Sequence, residues 1–275
     1  MSDIPPLTQT MINFLVTQSP LHAWVNNRYL NPDYKEEVSK EMDRGKIVHA
    51  MLLEDEDIAV PIDYPDYRTH QAREARDEVR ASGKCPILAT ELKGVQNMCE
   101  AARLQMEAYK DIRGGFVGGR GEVKLEWIDI ETGVRCKARL DYLQDDHRVI
   151  LDYKTTKGSA HPDAVSRNLF DRGYDIQGCW YIRAVLSSRF TLIPEPEFYL
   201  VTQEVYEPYA LSVVALAPDA KWYGRRRCED GLRLWKQSLD TGIWPGYLRE
   251  TAWATLPGWL EKQQIEKEMR EQDAV

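Results

Sequence analysis

The sequence predicts an α/β (α+β) fold, a central mixed sheet flanked by helices, on three observations. Apolar residues recur at helical spacing in the stretches that precede Gly114-Gly115. From Phe116 to about Lys154 the pattern changes to period-two alternation broken by turn signals. Helical spacing then returns, interrupted by two further strand-like runs before a long C-terminal helix.

Taken in order, residues 7–30 read as helix with a stop and restart at Ser19-Pro20, where Ser19 caps and Pro20 takes the first helical position. Residues 40–54 follow, with Ile47, Val48, Met51 and Leu52 at helical spacing. An acidic, proline-containing loop from Glu54 to Pro65 precedes helices at 68–81 and 90–111, the second capped by Thr90 and separated from the first by Ser82-Gly83-Lys84-Cys85-Pro86. Strands fill 116–154, turning at Glu131-Thr132-Gly133 and at Gln144-Asp145-Asp146-His147, and they form a mostly antiparallel block. Helices at 162–171 and 174–189, strands at 196–205 and 209–216, and a helix from Pro218 complete the order, with a charged tail from Leu260 that is helical or disordered. No linker marks a boundary, so residues 1–275 are expected to form one domain, with a helical part at 1–113, the catalytic sheet and its helices at 114–216, and a helical part at 217–275.

The composition is 43% hydrophobic and 29% charged, enough apolar content for a packed core and not that of a disordered chain. No run reaches the roughly 18 consecutive apolar residues of a membrane helix, and the opening Met1-Ser2-Asp3-Ile4-Pro5-Pro6 lacks the pattern of a secretory signal. A cytoplasmic protein with no membrane partner is expected. Five cysteines stand singly without C-x-x-C, so reduced thiols are expected and a structural zinc site is not. The net charge of −8 argues, taken alone, against nucleic acid as a partner.

The stretch Lys137 to Thr156 carries the chemistry. Folded as a hairpin turning at Asp146-His147, it sets Asp141 opposite Asp152, with Arg139 and Lys154 on the same face. Two opposed acids repel, so a cation is expected between them, and a divalent metal with Lys154 beside it meets that need. Glu122, Lys124 and Glu126 alternate upstream and offer a third carboxylate. Mg²⁺ takes oxygen ligands and keeps several waters, and a water whose pKa it lowers can attack phosphorus while Lys154 orients it or stabilises charge. A surface hairpin of solvated charges is the structural alternative to this reading.

Glu122, Asp141 and the run Asp152-Tyr153-Lys154 resemble the PD-(D/E)XK nuclease superfamily, whose restriction-endonuclease-like core the mixed sheet would then form. Two flanking motifs agree: Arg44-Gly45-Lys46-Ile47-Val48-His49 resembles the R-G-x-x-x-H helix of the RecB-like and RecE-like branches, and Gln177-Gly178-Cys179-Trp180-Tyr181 their Q-x-x-x-Y motif. The nearest resemblance is to RecE-like (exonuclease VIII-type) phage and prophage exonucleases, related to lambda exonuclease. It extends through Trp127, Glu131-Thr132-Gly133, Ser19 to Trp24, Trp244-Pro245-Gly246-Tyr247 and Leu256-Pro257-Gly258-Trp259.

The resemblance implies that His49, Asp141, Asp152 and the backbone carbonyl of Tyr153 bind metal, that Lys154 is the catalytic lysine, and that Glu122 binds a second metal or its waters. It places Gln177 and Tyr181, one helical turn apart, beside the site. It implies a metal-dependent 5′→3′ exonuclease that acts on double-stranded DNA ends and leaves a 3′ single strand for an annealing protein. Mg²⁺ is the expected cofactor, with Mn²⁺ tolerated because imidazole is a ligand. Too few downstream cysteines remain for an iron–sulfur cluster, and no G-x-x-x-x-G-K-[ST] supports ATP use. A toroidal homo-oligomer, trimer or tetramer, would reconcile the acidic charge with DNA by lining only its channel with cations. Arg44, Arg120, Arg139, Lys157 and Arg167 are the expected DNA-binding residues, and the run Arg225-Arg226-Arg227 is a further candidate. A phage or prophage origin in a bacterial cytoplasm follows from the same resemblance. An endonuclease or single-strand nuclease is the nearest alternative; a non-catalytic DNA-binding ring protein is the alternative of another class.

Overall fold

Small hydroxyl residues start most of the N-terminal helices. Thr8, Ser19, Ser39 and Thr69 each accept a backbone N–H from the first turn of α1 (Gln9–Thr17), α2 (Pro20–Val25), α3 (Lys40–His49) and α4 (His70–Ala81). The break at Ser19-Pro20 is the expected one. The computed structural model describes residues 4–35, 39–188 and 194–273. Met1 to Asp3 of the expected leaderless start, and Arg189, the end of the helix expected over 174–189, lie outside them.

Two departures come next. The loop expected from Glu54 to Pro65 contains β1 (Ala59–Ile62), which pairs in parallel with β2 (Cys85–Leu88), part of the stretch expected as a connection. Pro61 and Pro86 conceal these strands in the sequence, because proline donates no ladder hydrogen bond and demotes a strand reading. α5 (Ala89–Met106) then starts at Leu88 without a side-chain cap, so Thr90 lies inside the helix rather than ahead of it. A single 3₁₀ turn at Lys110–Ile112 takes up the end of the predicted helix.

The main sheet runs β3 (Gly119–Ile128), β4 (Arg135–Gln144), β5 (Val149–Thr156), β6 (Glu197–Glu204) and β7 (Leu211–Ala215) in that spatial order. All neighbours are antiparallel except β5 and β6, which are parallel. A parallel pair needs a long crossover, supplied by α6 (Pro162–Leu169) and α7 (Tyr174–Ser187). One face of the sheet packs on α1, α7 and α8 (Pro218–Thr241) through Ile12, Ile176, Trp180, Leu232 and Trp235. The other packs on α3 and α5 through Ile47, Val95, Met98 and Tyr153. The sheet is thus mixed and covered by helices on both sides.

The chain divides into two compact units, Met1–Pro245 and Gly246–Val275. The first holds the sheet and every expected site residue. The second carries α9 (Gly258–Asp273). Among the described residues, no helix is long and apolar enough to cross a membrane. The five cysteines are free and buried.

Candidate active site

Strand register assembles the site. β4 and β5 pair only through Tyr142 with Leu151 and Leu143 with Ile150, the register that sets Asp141 across from Asp152. Beyond Tyr142 the two strands part, and the Asp141 carboxylate fills the gap by accepting the Tyr153 backbone N–H at 3.0 Å. On its other side β4 pairs with β3, Gly121 with Tyr142 and Val123 with Leu140, so Glu122 falls level with Asp141. Three carboxylates from three adjacent strands therefore stand in one row.

Glu122 is also where β3 changes face. Its φ is +50°, a left-handed conformation that costs an L-residue about 1–2 kcal/mol. Alternation would put residues 121 and 123 on one face of the sheet. Instead Gly121 lies against the Leu53 carbonyl, while Val123, Leu125 and Trp127 join the α7 layer. This turn holds the side chain of Glu122 beside His49, with Arg139 Nε 3.0 Å from one carboxylate oxygen. Non-glycine residues in this region cluster at functional sites, where surrounding structure enforces the strain.

α3 brings His49 to the same row. Its Nδ1 lies 3.4 Å from Glu122, and its Nε2 lies 3.2 Å from the Tyr153 carbonyl and 3.8 Å from Asp141. One ligand atom each from His49, Glu122 and Asp141 falls within 4.8 Å of the others. That set suits a hard divalent cation: two carboxylates, one imidazole and a carbonyl that points the same way. Glu122 belongs to this compact trio, whereas Asp152 is turned onto other partners. Its fully buried carboxylate receives Gln177 Nε2 on Oδ1 at 2.8 Å and pairs through Oδ2 with Lys154 Nζ at 2.6 Å. Lys154 also reaches Asp141 at 3.4 Å. Lys154 thus reaches both acids from beside the trio of His49, Glu122 and Asp141, the placement expected of it.

Charge and burial explain the titration behaviour. Burial, then repulsion from Asp141, pushes the Asp152 carboxyl up to about 7 against the pull of Lys154. Burial opposes ionisation of Asp141 as well, but Lys154 and His49 outweigh it and hold this carboxyl below its ordinary value. Burial also opposes the charge on Lys154, and the two aspartates override it, so the amine stays protonated. At His49 burial is outweighed by Glu122 and Asp141, and the imidazole titrates above its usual range.

Gln177 and Tyr181 meet on α7, as their spacing predicts. Gln177 donates to the Tyr181 hydroxyl at 2.9 Å as well as to Asp152. Both line a cleft of about 340 Å³ with His49, Asp141, Lys154 and Arg139. Two further contributors were not singled out in the sequence. Lys137 lines the cleft and could have been found from its period-two relation to Arg139 and Asp141. The first turn of α1, Gln9 and Thr10, carries no such local signal, because only packing brings it to β4, through Leu7 beside Cys136.

The expected DNA-binding residues separate. Arg139 stands at the cleft, paired with Glu122. Arg44 is half-buried and donates to the Val205 carbonyl at 3.2 Å. Lys157 is exposed and pairs with Glu41 at 3.1 Å. Arg120 and Arg167 are exposed and do not line the cleft. In the C-terminal arginine run, Arg227 is bound to buried Asp175 at 2.9 Å and Arg225 to Glu195 at 2.6 Å, which makes that run mainly structural.

Residues 18–252 match a sequence family described as PDDEXK-like domain of unknown function (DUF3799). No curated protein matches the chain. Among solved structures, a candidate exonuclease from Eubacterium rectale is similar with a TM-score of 0.57 and 12% identity, over 92% of this chain and 91% of that one. At that identity the likeness is one of fold. SSO0001 is 13% identical with a TM-score of 0.29, over 73% of this chain and 88% of that one, and carries no argument.

Proposed function

Because this chain belongs to the family of PDDEXK-like domains, DUF3799, we propose that it is a divalent-metal-dependent exodeoxyribonuclease that degrades double-stranded DNA from its ends, 5′→3′, and leaves a 3′ single strand for an annealing protein. The observation that carries the nuclease reading is the row Glu122, Asp141 and Asp152, closed by His49 on one side and Lys154 on the other. The exonuclease reading, its polarity and its substrate draw on the resemblance of the motifs to RecE-like enzymes. The description of the Eubacterium rectale neighbour as an exonuclease is consistent with it.

The residues present fit a divalent cation, Mg²⁺ on this reading. His49, Glu122 and Asp141 would hold it, joined by the Tyr153 carbonyl and by Asp152 once Lys154 moves aside. Bound there, such an ion supplies Lewis acidity and lowers the pKa of water near phosphorus. The chain's own groups do the rest. Lys154 stabilises the charge that develops on the phosphoryl oxygens. Gln177 holds Asp152 in place from behind, and Tyr181 holds Gln177. Arg139 and Lys137 at the rim attract the phosphate backbone. A toroidal trimer or tetramer belongs to the same proposal.

The test is the pair Lys154→Ala and wild type on linear duplex DNA. Loss of the lysine is expected to lower kcat by ~10²–10³-fold, the cost of removing one charge-stabilising donor, while DNA binding persists. Unchanged rates in the variant would remove Lys154 from the site.

A further inference from the structure

A second cavity opens where β5 leaves the cleft. Lys154 is followed by Thr155 and Thr156, and both threonines line a cavity of about 580 Å³ with Arg44 of α3 and with Arg172, which lies between α6 and α7. Thr156 ends β5 and Val205, also in the wall, follows β6, so the cavity lies outside the carboxyl ends of the two parallel strands. Ligands of open α/β sheets collect in that position.

The charges in the wall are unequal. Lys40 and Lys157 are neutralised by Glu91 at 2.7 Å and Glu41 at 3.1 Å. Among the described residues, neither Arg44 nor Arg172 has a carboxylate partner, and the buried Nε of Arg44 has no hydrogen-bond partner. Two guanidinium groups beside two threonine hydroxyls make a surface suited to a phosphate, whose oxygens the planar fork of arginine matches. Thr156 shares the face of Lys154 one strand repeat away, ~6.6 Å along β5, the scale that separates neighbouring phosphates of a nucleic-acid strand.

We propose that Arg44 and Arg172 form a subsite for a backbone phosphate of the strand being cut, next to the scissile one. The assignment rests on the nuclease reading above and adds to it the element that sets the strand's register. Binding at this phosphate holds the scissile phosphate against Lys154 and the carboxylate row, so that strand position is fixed before chemistry.

Arg172 is exposed and can be changed without opening the core, whereas Arg44 is half-buried. Binding of a linear duplex, with chelator present so that nothing is cut, would be measured against KCl concentration for wild type, Arg172→Ala and Arg172→Lys. Arg172→Ala is expected to bind about tenfold more weakly, with a log–log salt slope smaller by about one, as loss of one phosphate contact requires. Arg172→Lys should keep the slope, since the charge remains. In Mg²⁺ the alanine variant should lower kcat/KM about tenfold or more, through a raised KM and, because the scissile phosphate is no longer held in register, a lower kcat as well. A wild type that binds DNA with a slope and affinity shared by Arg172→Ala overturns the subsite alone. A wild type that neither binds nor cuts DNA overturns the nuclease reading and the subsite with it.

Discussion

Asp152 and Lys154 are a buried pair whose protonation couples stability to pH. An aspartate titrates near ~3.9 in an unfolded chain, and burial with Asp141 raises Asp152 to about 7 in the folded protein. Across the window between those values the native state binds more protons than the unfolded state. Metal-free stability contributed by this group therefore falls as pH rises from about 4 to about 7. Asp152→Asn mimics the protonated carboxyl, so its melting temperature relative to wild type should climb as pH is raised from 5 to 8, by ~2–4 °C for each kcal/mol. Thermal melts in chelator at several pH values check this. A difference that does not change with pH would mean Asp152 titrates as an ordinary carboxylate.

At the scale of elements, the left-handed residue in β3 is the feature with the most to lose. Glu122→Ala and Glu122→Gly both remove the carboxylate, but only glycine relaxes the positive φ. The glycine variant should therefore be the more stable by about 1–2 kcal/mol, measurable by denaturant unfolding; equal stabilities would show that the backbone had rearranged. This kink was not legible in the sequence, where Glu122 is one of several alternating acids and nothing local demands a turn. The hairpin was legible, because Asp146-His147 fixes the turn and period-two alternation then dictates which acids face each other. The spacing of Gln177 and Tyr181 was legible for the same reason on a helix. The contacts of Asp152 with Gln177 and Lys154 were not, because they depend on side-chain distances that strand register does not set. β1 and β2 escaped because each contains a proline, and what makes them strands is their mutual pairing over α5 rather than their composition.

For the whole molecule, a charge of −8 has to be reconciled with DNA. Part of the excess is the carboxylate row itself, which a divalent cation would offset. Much of the basic complement is committed inside the protein, as with Arg227 on Asp175, Arg183 on Asp129 and Arg80 on Asp43. The cations best placed for phosphate are those at the cleft, Arg139 and Lys137, and those at the cavity beyond it, Arg44 and Arg172. Enclosure of DNA in a ring would let so few contacts suffice. Light scattering on the purified chain should then report three or four times 31.8 kDa, and a monomer across micromolar concentrations would argue against the ring. The central claim is tested most directly by digesting linear duplex DNA labelled separately at its 5′ and 3′ ends, in Mg²⁺ and in chelator. Early release of the 5′ label, only with metal and with closed circles left intact, is the predicted result. Cutting of closed circles, first loss of the 3′ label, or no cleavage under any divalent metal would contradict it.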